Sequence, residues 1–253
     1  MIHIYSSEEI ELVRKSCKLI VNMLNNLEVF VKPGISTLQL DKIAEDFIRS
    51  GGGIPAFKGF GGPKNPFPAT LCISVNETVV HGIPGKRVLL EGDIVGIDCG
   101  CILNGFYSDH AKTFHVGETS ESDKKLVDVT LKSIALGIEQ AVEGNHVNDI
   151  GFAVQTFVES NGYSVVRDLC GHGVGRKLHE EPPVPNYGKK GTGSLLKEGM
   201  ILAIEPMVNI GTWRVKTLRD GWTIETADKK RSAHFEHTVL VKKDKAEILT
   251  IGN

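Results

Sequence analysis

Two aspartates, Asp98 and Asp109, flank an Asn104-Gly105 pair in the run Gly96-Ile-Asp-Cys-Gly-Cys-Ile-Leu-Asn-Gly-Phe-Tyr-Ser-Asp109. Asn-Gly between apolar runs predicts a hairpin, because a type I′ turn needs φ > 0 at both central residues. With 104 and 105 as the loop, Leu103 pairs with Phe106 and Gly100 lies opposite Asp109. Side chains alternate faces, so Asp98, Gly100, Asp109 and Ala111 share one face, and Cys99 and Cys101 lie on the other. Asp98 is then the diagonal neighbour of Asp109, roughly 7–8 Å away between backbones. Carboxylates converging over small residues repel unless a cation separates them, and two divalent ions about 3.5–4 Å apart fit such a gap. A pair of solvated surface aspartates is the plain alternative.

Three more residues have ligand chemistry. His172 lies in Cys170-Gly-His-Gly-Val-Gly175. Its flanking glycines allow close approach of a ligand, and neutral imidazole is a common metal donor. Glu205 ends the apolar run Met200-Ile-Leu-Ala-Ile-Glu205. It reads either as a strand-end residue emerging into water or as a desolvated carboxylate. Glu236 is a charge inside the β-type run Ala233-His-Phe-Glu-His-Thr-Val-Leu-Val241. A buried carboxylate needs a partner, and no Arg series supplies one. Oxygen donors with one imidazole suit Mn, Fe, Co or Zn in a two-metal hydrolase. His179-Glu-Glu is not a His-Glu-x-x-His zinc motif, since Pro183 stands where the second His would be. The glycines at 171, 173 and 175 lack the spacing of a dinucleotide loop.

The elements that must hold these residues follow from periodicity. Ser6 to Glu9 reads as a capping box. Ile10, Val13, Cys17, Ile20, Val21 and Leu24 then repeat at helical spacing until Lys32-Pro33-Gly34. Ser36 to Gln39 caps a second helix, with Leu38, Ile43, Ala44 and Phe47 toward the core. Residues 51–68, rich in Gly, Pro and Phe, read as a loop. A strand is expected at 71–75, the hairpin at 93–116, and helices from Ser120 to about 142 and over Val147–Ser160. A short strand near 164–167, a Gly-rich loop at 171–175, and strands near 200–205, 213–216, 222–225 and 233–241 complete the order. Helices, then strands, then helices, then strands make an α+β pattern repeated once, consistent with two similar halves around one site.

Composition sets limits. The chain has 253 residues, 41 % apolar and 24 % charged, which is ordinary for a globular protein. A net charge of −2 gives no basic field for nucleic acid, so none is expected as a partner. Lys229-Lys230-Arg231 and Lys242-Lys243 read as solvated charges. No apolar run approaches the ~18 residues of a membrane span, and the opening residues carry no targeting pattern. Five cysteines without zinc-ribbon or redox spacing are expected to be free thiols in a reducing cytoplasm.

Asn76-Glu-Thr-Val-Val-His81-Gly-Ile-Pro84, the Asp98 to Asp109 run, Gly171-His-Gly-Val-Gly-Arg176, Ile204-Glu-Pro-Met207 and Phe235-Glu-His-Thr238 occur in this order. Together these stretches, spread over essentially the whole chain, resemble the type I methionine aminopeptidases. The resemblance implies the pita-bread α+β fold, one catalytic domain over 1–253, two pseudo-symmetric halves clasping a dimetal centre. Asp109 and Glu236 would bridge two divalent ions (Co, Mn, Fe, Zn or Ni), Asp98 would bind one of them, and His172 and Glu205 would complete the other. A hydroxide between the metals would be the nucleophile, with Glu205 as proton shuttle. His179 would stabilise the tetrahedral intermediate, and His81 would contact the scissile peptide or the leaving amine.

The matching positions for an apolar methionine pocket are Phe57, Phe60, Phe67, Cys72, Leu178 and Trp222, with His81 and His179 also touching substrate. The loop 57–67 is longer than the usual form and has Phe where Cys or Tyr is frequent. Leu178 replaces a usual Phe, and Gly100 and His110 also differ; the hairpin register points His110 away from the metals. Asn76 with Ser232 matches a monovalent-cation site of some relatives. The implied partner is the N-terminal methionine of nascent polypeptides near the ribosome, met by a cytoplasmic monomer without membrane contact. A Xaa-Pro peptidase of the same fold is the main rival, and the His81-Gly-Ile-Pro stretch favours the methionine enzyme. A relative that only binds peptide or RNA would have lost ligands that are present here.

Overall fold

The computed structural model describes residues 2–251. Its first half opens with α1 (Ser7–Glu28) and α2 (Thr37–Ser50). Both start with the expected reciprocal caps: Ser6 accepts from the Glu9 amide and Glu9 accepts from the Ser6 amide, and Ser36 and Gln39 repeat the arrangement. Helix α1 ends four residues before Lys32, earlier than the Pro-Gly signal suggests. It buries Val13, Cys17, Ile20, Leu24 and Leu27 at helical spacing. Each large aliphatic removed from water contributes about 1.5–3 kcal/mol.

That face covers a sheet of β1 (Ile54–Pro55), β2 (Leu71–Val75), β4 (Ile94–Leu103) and β5 (Phe106–His115). Strand β5 runs along one edge of β4, and β2 and β1 share the other. The hairpin register is the one read from Asn104-Gly105: Leu103 opposite Phe106, Gly100 opposite Asp109, Asp98 opposite Ala111. Asn104 and Gly105 have φ of 52° and 78°. The 51–68 segment is loop apart from the two residues of β1.

The second half repeats the order. Helices α3 (Glu121–Ile138) and α4 (Val147–Ser160) lead into β6 (Ser164–Val165), β7 (Cys170–Gly173), β8 (Glu180–Pro185), β9 (Ile201–Ile204), β10 (Met207–Asn209), β13 (Ser232–His234), β14 (His237–Leu240) and β15 (Glu247–Ile248). Five of these form one sheet in the order β15-β14-β9-β7-β8, and β13-β10-β6 form another. A small sheet of β11 (Val215–Thr217), β12 (Ile224–Thr226) and β3 (Thr78–Val80) takes strands from both halves.

Four expectations need correction. Leu38, in the first turn of α2, is 53 % exposed rather than turned to the core. Residues 171–173 belong to a strand rather than a loop. The run 233–241 is two strands, broken at Phe235-Glu236. Arg231 is not a freely solvated charge, since its guanidinium lies 2.7 Å from the buried Asp123 carboxylate.

Candidate metal centre and active-site cavity

The break at Glu236 stitches the two halves together. The Glu236 amide donates to Ala111 O at 2.9 Å, and the Ala111 amide donates back at 3.4 Å. On either side, Thr113 donates to His234 O at 2.7 Å, and Thr238 donates to Asp109 O at 2.7 Å while accepting from the Asp109 amide at 3.1 Å. The His110 ring, facing away from Asp109 as the register requires, meets Glu236 O through Nδ1. Glu236 is thereby fixed against Ala111, the residue opposite Asp98 and two along from Asp109.

The third strand to reach this point is β7. His172 pairs with Ala203 on β9, and Glu205 lies two residues beyond Ala203. The glycines beside His172 permit this pairing: a Cβ at Gly171 would lie 2.2 Å from Ala203 O, and one at Gly173 would lie 2.5 Å from Glu181 O. His172 Nε2 then sits 3.5 Å from Glu205 Oε1 and 3.8 Å from Asp109 Oδ2. Asp109, His172 and Glu236 each offer a donor atom within 4.8 Å of the other two. Asn186 donates to Glu205 O at 2.9 Å and holds that end of β9.

This cluster carries more negative charge than its surroundings compensate. Asp109 and Glu236 are 3 % and 2 % exposed. Burial pushes the Asp98 carboxyl up to about 8. Burial, and then repulsion from the neighbouring carboxylates, raises Asp109, Glu205 and Glu236 well above the usual range. Burial and nearby His179 hold His172 down to about 3, so its ring is neutral and able to donate a lone pair. Asp98 Oδ1, Asp109 Oδ1 and Glu236 Oε1 are buried with no hydrogen-bond partner. Among the described residues, the only basic side chains within ion-pair distance of these carboxylates are the imidazoles of His172 and His234, both held neutral by burial. Orphaned carboxylate oxygens facing one neutral imidazole fit divalent cations, which would satisfy those atoms and remove the repulsion.

A cavity of about 300 Å³ stands over this floor, lined by all five residues together with His81 and His179. One wall is an apolar cluster of Phe57, Phe67, Cys72 and Leu178, each less than 9 % exposed, with Trp222 packed against it. Trp222 lies edge-on to Phe67 with ring centroids 5.3 Å apart. Phe60 lines the cavity but stands at its rim, 38 % exposed and edge-on to His179 at 5.0 Å. The His179 ring is 4.2 Å from that of His172. His81, at a left-handed φ of 59°, is held down to about 4, chiefly by burial and then by His179. Thus every residue singled out in the sequence for metal, substrate or proton transfer reaches one cavity. Asn76 and Ser232 also meet, the Ser232 amide donating to Asn76 O at 2.9 Å.

Sequence reasoning missed His234. It is 3 % exposed, its Nε2 has no hydrogen-bond partner, and that atom lies 3.9 Å from Glu205 Oε2. Two-residue alternation from Glu236 was the available signal. Asn186 and Thr238, which fix backbones, carried no such signal.

Residues 11–243 match the model of metallopeptidase family M24. The chain is 54 % identical over 251 residues to a protein of Clostridium perfringens named methionine aminopeptidase, covering 99 % of each. It is similar to the crystal structure of methionine aminopeptidase from Thermotoga maritima, with a TM-score of 0.96, 45 % identity and 100 % of each chain covered. A prolidase from Pyrococcus furiosus shares the fold, with a TM-score of 0.79 at 24 % identity; 99 % of this chain covers 66 % of that one.

Proposed function

The chain belongs to metallopeptidase family M24 and within it to the methionine aminopeptidases, with their pita-bread fold, and on that premise we propose that its cavity releases N-terminal methionine from polypeptides whose second residue is small. The observation that carries this reading is the five-residue donor set at the floor of an apolar-walled cavity. The enzymes of this family are metallopeptidases, and the reading assigns two divalent ions to Asp98, Asp109, His172, Glu205 and Glu236. Bound there, the ions would supply Lewis acidity that activates water and polarises the carbonyl.

The chain's own residues do the rest. Phe57, Phe67, Cys72, Leu178 and Trp222 take the methionine side chain by apolar contact, and Phe60 closes the rim. Glu205, desolvated at the cavity floor, which raises its affinity for a proton, accepts a proton from the attacking water and returns it to the departing amine. His179, kept neutral by burial, donates an N–H to the developing oxyanion. His81 contacts the scissile amide.

The whole chain acts as one catalytic domain in this reading, a monomer that meets new polypeptides in the cytoplasm near the ribosome. The test is release of the N-terminal residue from Met-Ala-Ser, Met-Leu-Ser and Ala-Pro by metal-reconstituted protein. Release from Met-Ala-Ser alone is expected, and faster cleavage of Ala-Pro would replace the reading with the Xaa-Pro peptidase rival.

A further inference from the structure

The turn that carries Leu178 and His179 is anchored from outside the cavity. Tyr5, in the segment before α1, is 6 % exposed and lies edge-on to Phe106 at 6.4 Å. Its backbone is tied down by an amide bond to Gly199 O at 2.9 Å. The Tyr5 hydroxyl donates to Glu180 Oε2 at 2.7 Å and accepts from the Arg176 amide at 3.1 Å. The other oxygen of the same carboxylate, Glu180 Oε1, accepts from the Lys177 amide at 2.8 Å. The hydroxyl and the carboxylate thus fix three residues of the turn. The close approach depends on Gly175, where a Cβ would lie 2.3 Å from the Tyr5 oxygen. Arg176 reaches back to Glu9 on α1, which adds a second, exposed tie. Tyr107 on β5 holds the turn from the other side, its amide donating to Gly175 O at 2.7 Å.

We propose that Tyr5, through its hydroxyl bond to Glu180, is a positioning residue for His179, so that the N-terminal arm of the chain sets the rate of peptide hydrolysis. The inference rests on the assignment of His179 as an oxyanion donor. Tyr5 itself is absent from the cavity lining, whereas Glu180, Leu178 and His179 all line it. Donors at an oxyanion site act only when preorganised, so a turn free to shift by a fraction of an ångström loses rate while ground-state contacts survive. The phenol suits this task because burial, and then the bond to Glu180, raise its pKa, keeping the proton on the oxygen at all working pH values.

The test is a double-mutant cycle between Tyr5→Phe and His179→Ala, read on Met-Ala-Ser with metal content measured on each preparation. Tyr5→Phe keeps the ring in its packing and removes only the hydroxyl. We expect kcat to fall about tenfold with KM within twofold and with wild-type metal content. In the His179→Ala background the same substitution should cost nothing further. Glu180→Ala, made from the other side of the bond, should reproduce the kcat loss and the same non-additivity. Unchanged kcat in Tyr5→Phe, or an equal loss with and without His179, overturns the proposal. If His179→Ala alone keeps full kcat, the role of His179 fails first, and this inference falls with it while the metal centre stands.

Discussion

His172 Nε2 and Glu205 Oε1 lie 3.5 Å apart because β7 and β9 are paired with His172 opposite Ala203. One strand pairing therefore delivers two of the five candidate donors, and one hairpin delivers two more, Asp98 and Asp109. Glu236 joins them from a strand break pinned to Ala111. The site is an intersection of three backbone registers, so single side chains can be altered without moving the others.

Asp109→Asn is expected to abolish activity and bound metal together. Asp109 is within 3.8 Å of His172 and within donor range of Glu236, so loss of its charge removes the centre of the set. Metal analysis beside a rate assay on Met-Ala-Ser checks this; wild-type rate in the variant would rule out the assigned role.

His179→Ala should lower kcat by about 10²–10³-fold with KM little changed, as for loss of a single oxyanion donor. Metal content should stay at the wild-type level. Loss of metal in step with activity would make His179 a ligand or scaffold residue instead.

Thr238→Val removes the hydroxyl that both donates to and accepts from the Asp109 backbone. Thr238 is fully buried, so the Asp109 amide is left unsatisfied at a cost of about 1–3 kcal/mol. Denaturant unfolding of metal-free protein should show that loss, and metal affinity should weaken because Asp109 is no longer clasped. Equal stability would mean that water replaces the hydroxyl.

The pH dependence of metal-free protein follows from the raised carboxylates. Asp98, at about 8 when folded, binds its proton more tightly in the native than in the unfolded chain, whose value is near 3.9. Its contribution is complete below the unfolded value and is lost as pH rises through about 8. Buried His172, held to about 3, works in the opposite sense, but only below about pH 6.5, where the unfolded imidazole protonates. Between about pH 6.5 and 8 the carboxylates act alone. Metal-free protein should therefore melt at progressively lower temperature across that window, and the stabilisation by added metal should grow. Thermal melts with and without chelator test both signs, and a chelated Tm that climbs from pH 6.5 to 8 would contradict them.

The hairpin was legible because Asn104-Gly105 fixes both turn and register, and two-residue alternation then assigns faces. His172 was legible as a candidate ligand but not as a strand residue. Gly171 and Gly173 read as loop in sequence, yet here they allow the tight packing of β7 against Ala203 and Glu181. Strand β8 was hidden by Pro182 and Pro183, which suit only an edge position, and β8 is an edge strand. The break at Glu236 was invisible because its cause is distant: bonds from Ala111, Thr113 and Asp109 draw 234–238 across the hairpin. His234 could have been found by two-residue alternation from Glu236, but its approach to Glu205 is set by that same path.

On the proposed assignment, five side chains hold two divalent ions without which the cavity does not cleave peptide. Titration of chelated protein with Mn, Fe, Co, Zn or Ni, following methionine release from Met-Ala-Ser and ions bound per chain, tests it directly. Chelated protein should release no methionine, recover on metal addition, and hold two ions per chain at saturation. Undiminished release in the presence of chelator, or saturation without any bound divalent ion, would contradict it.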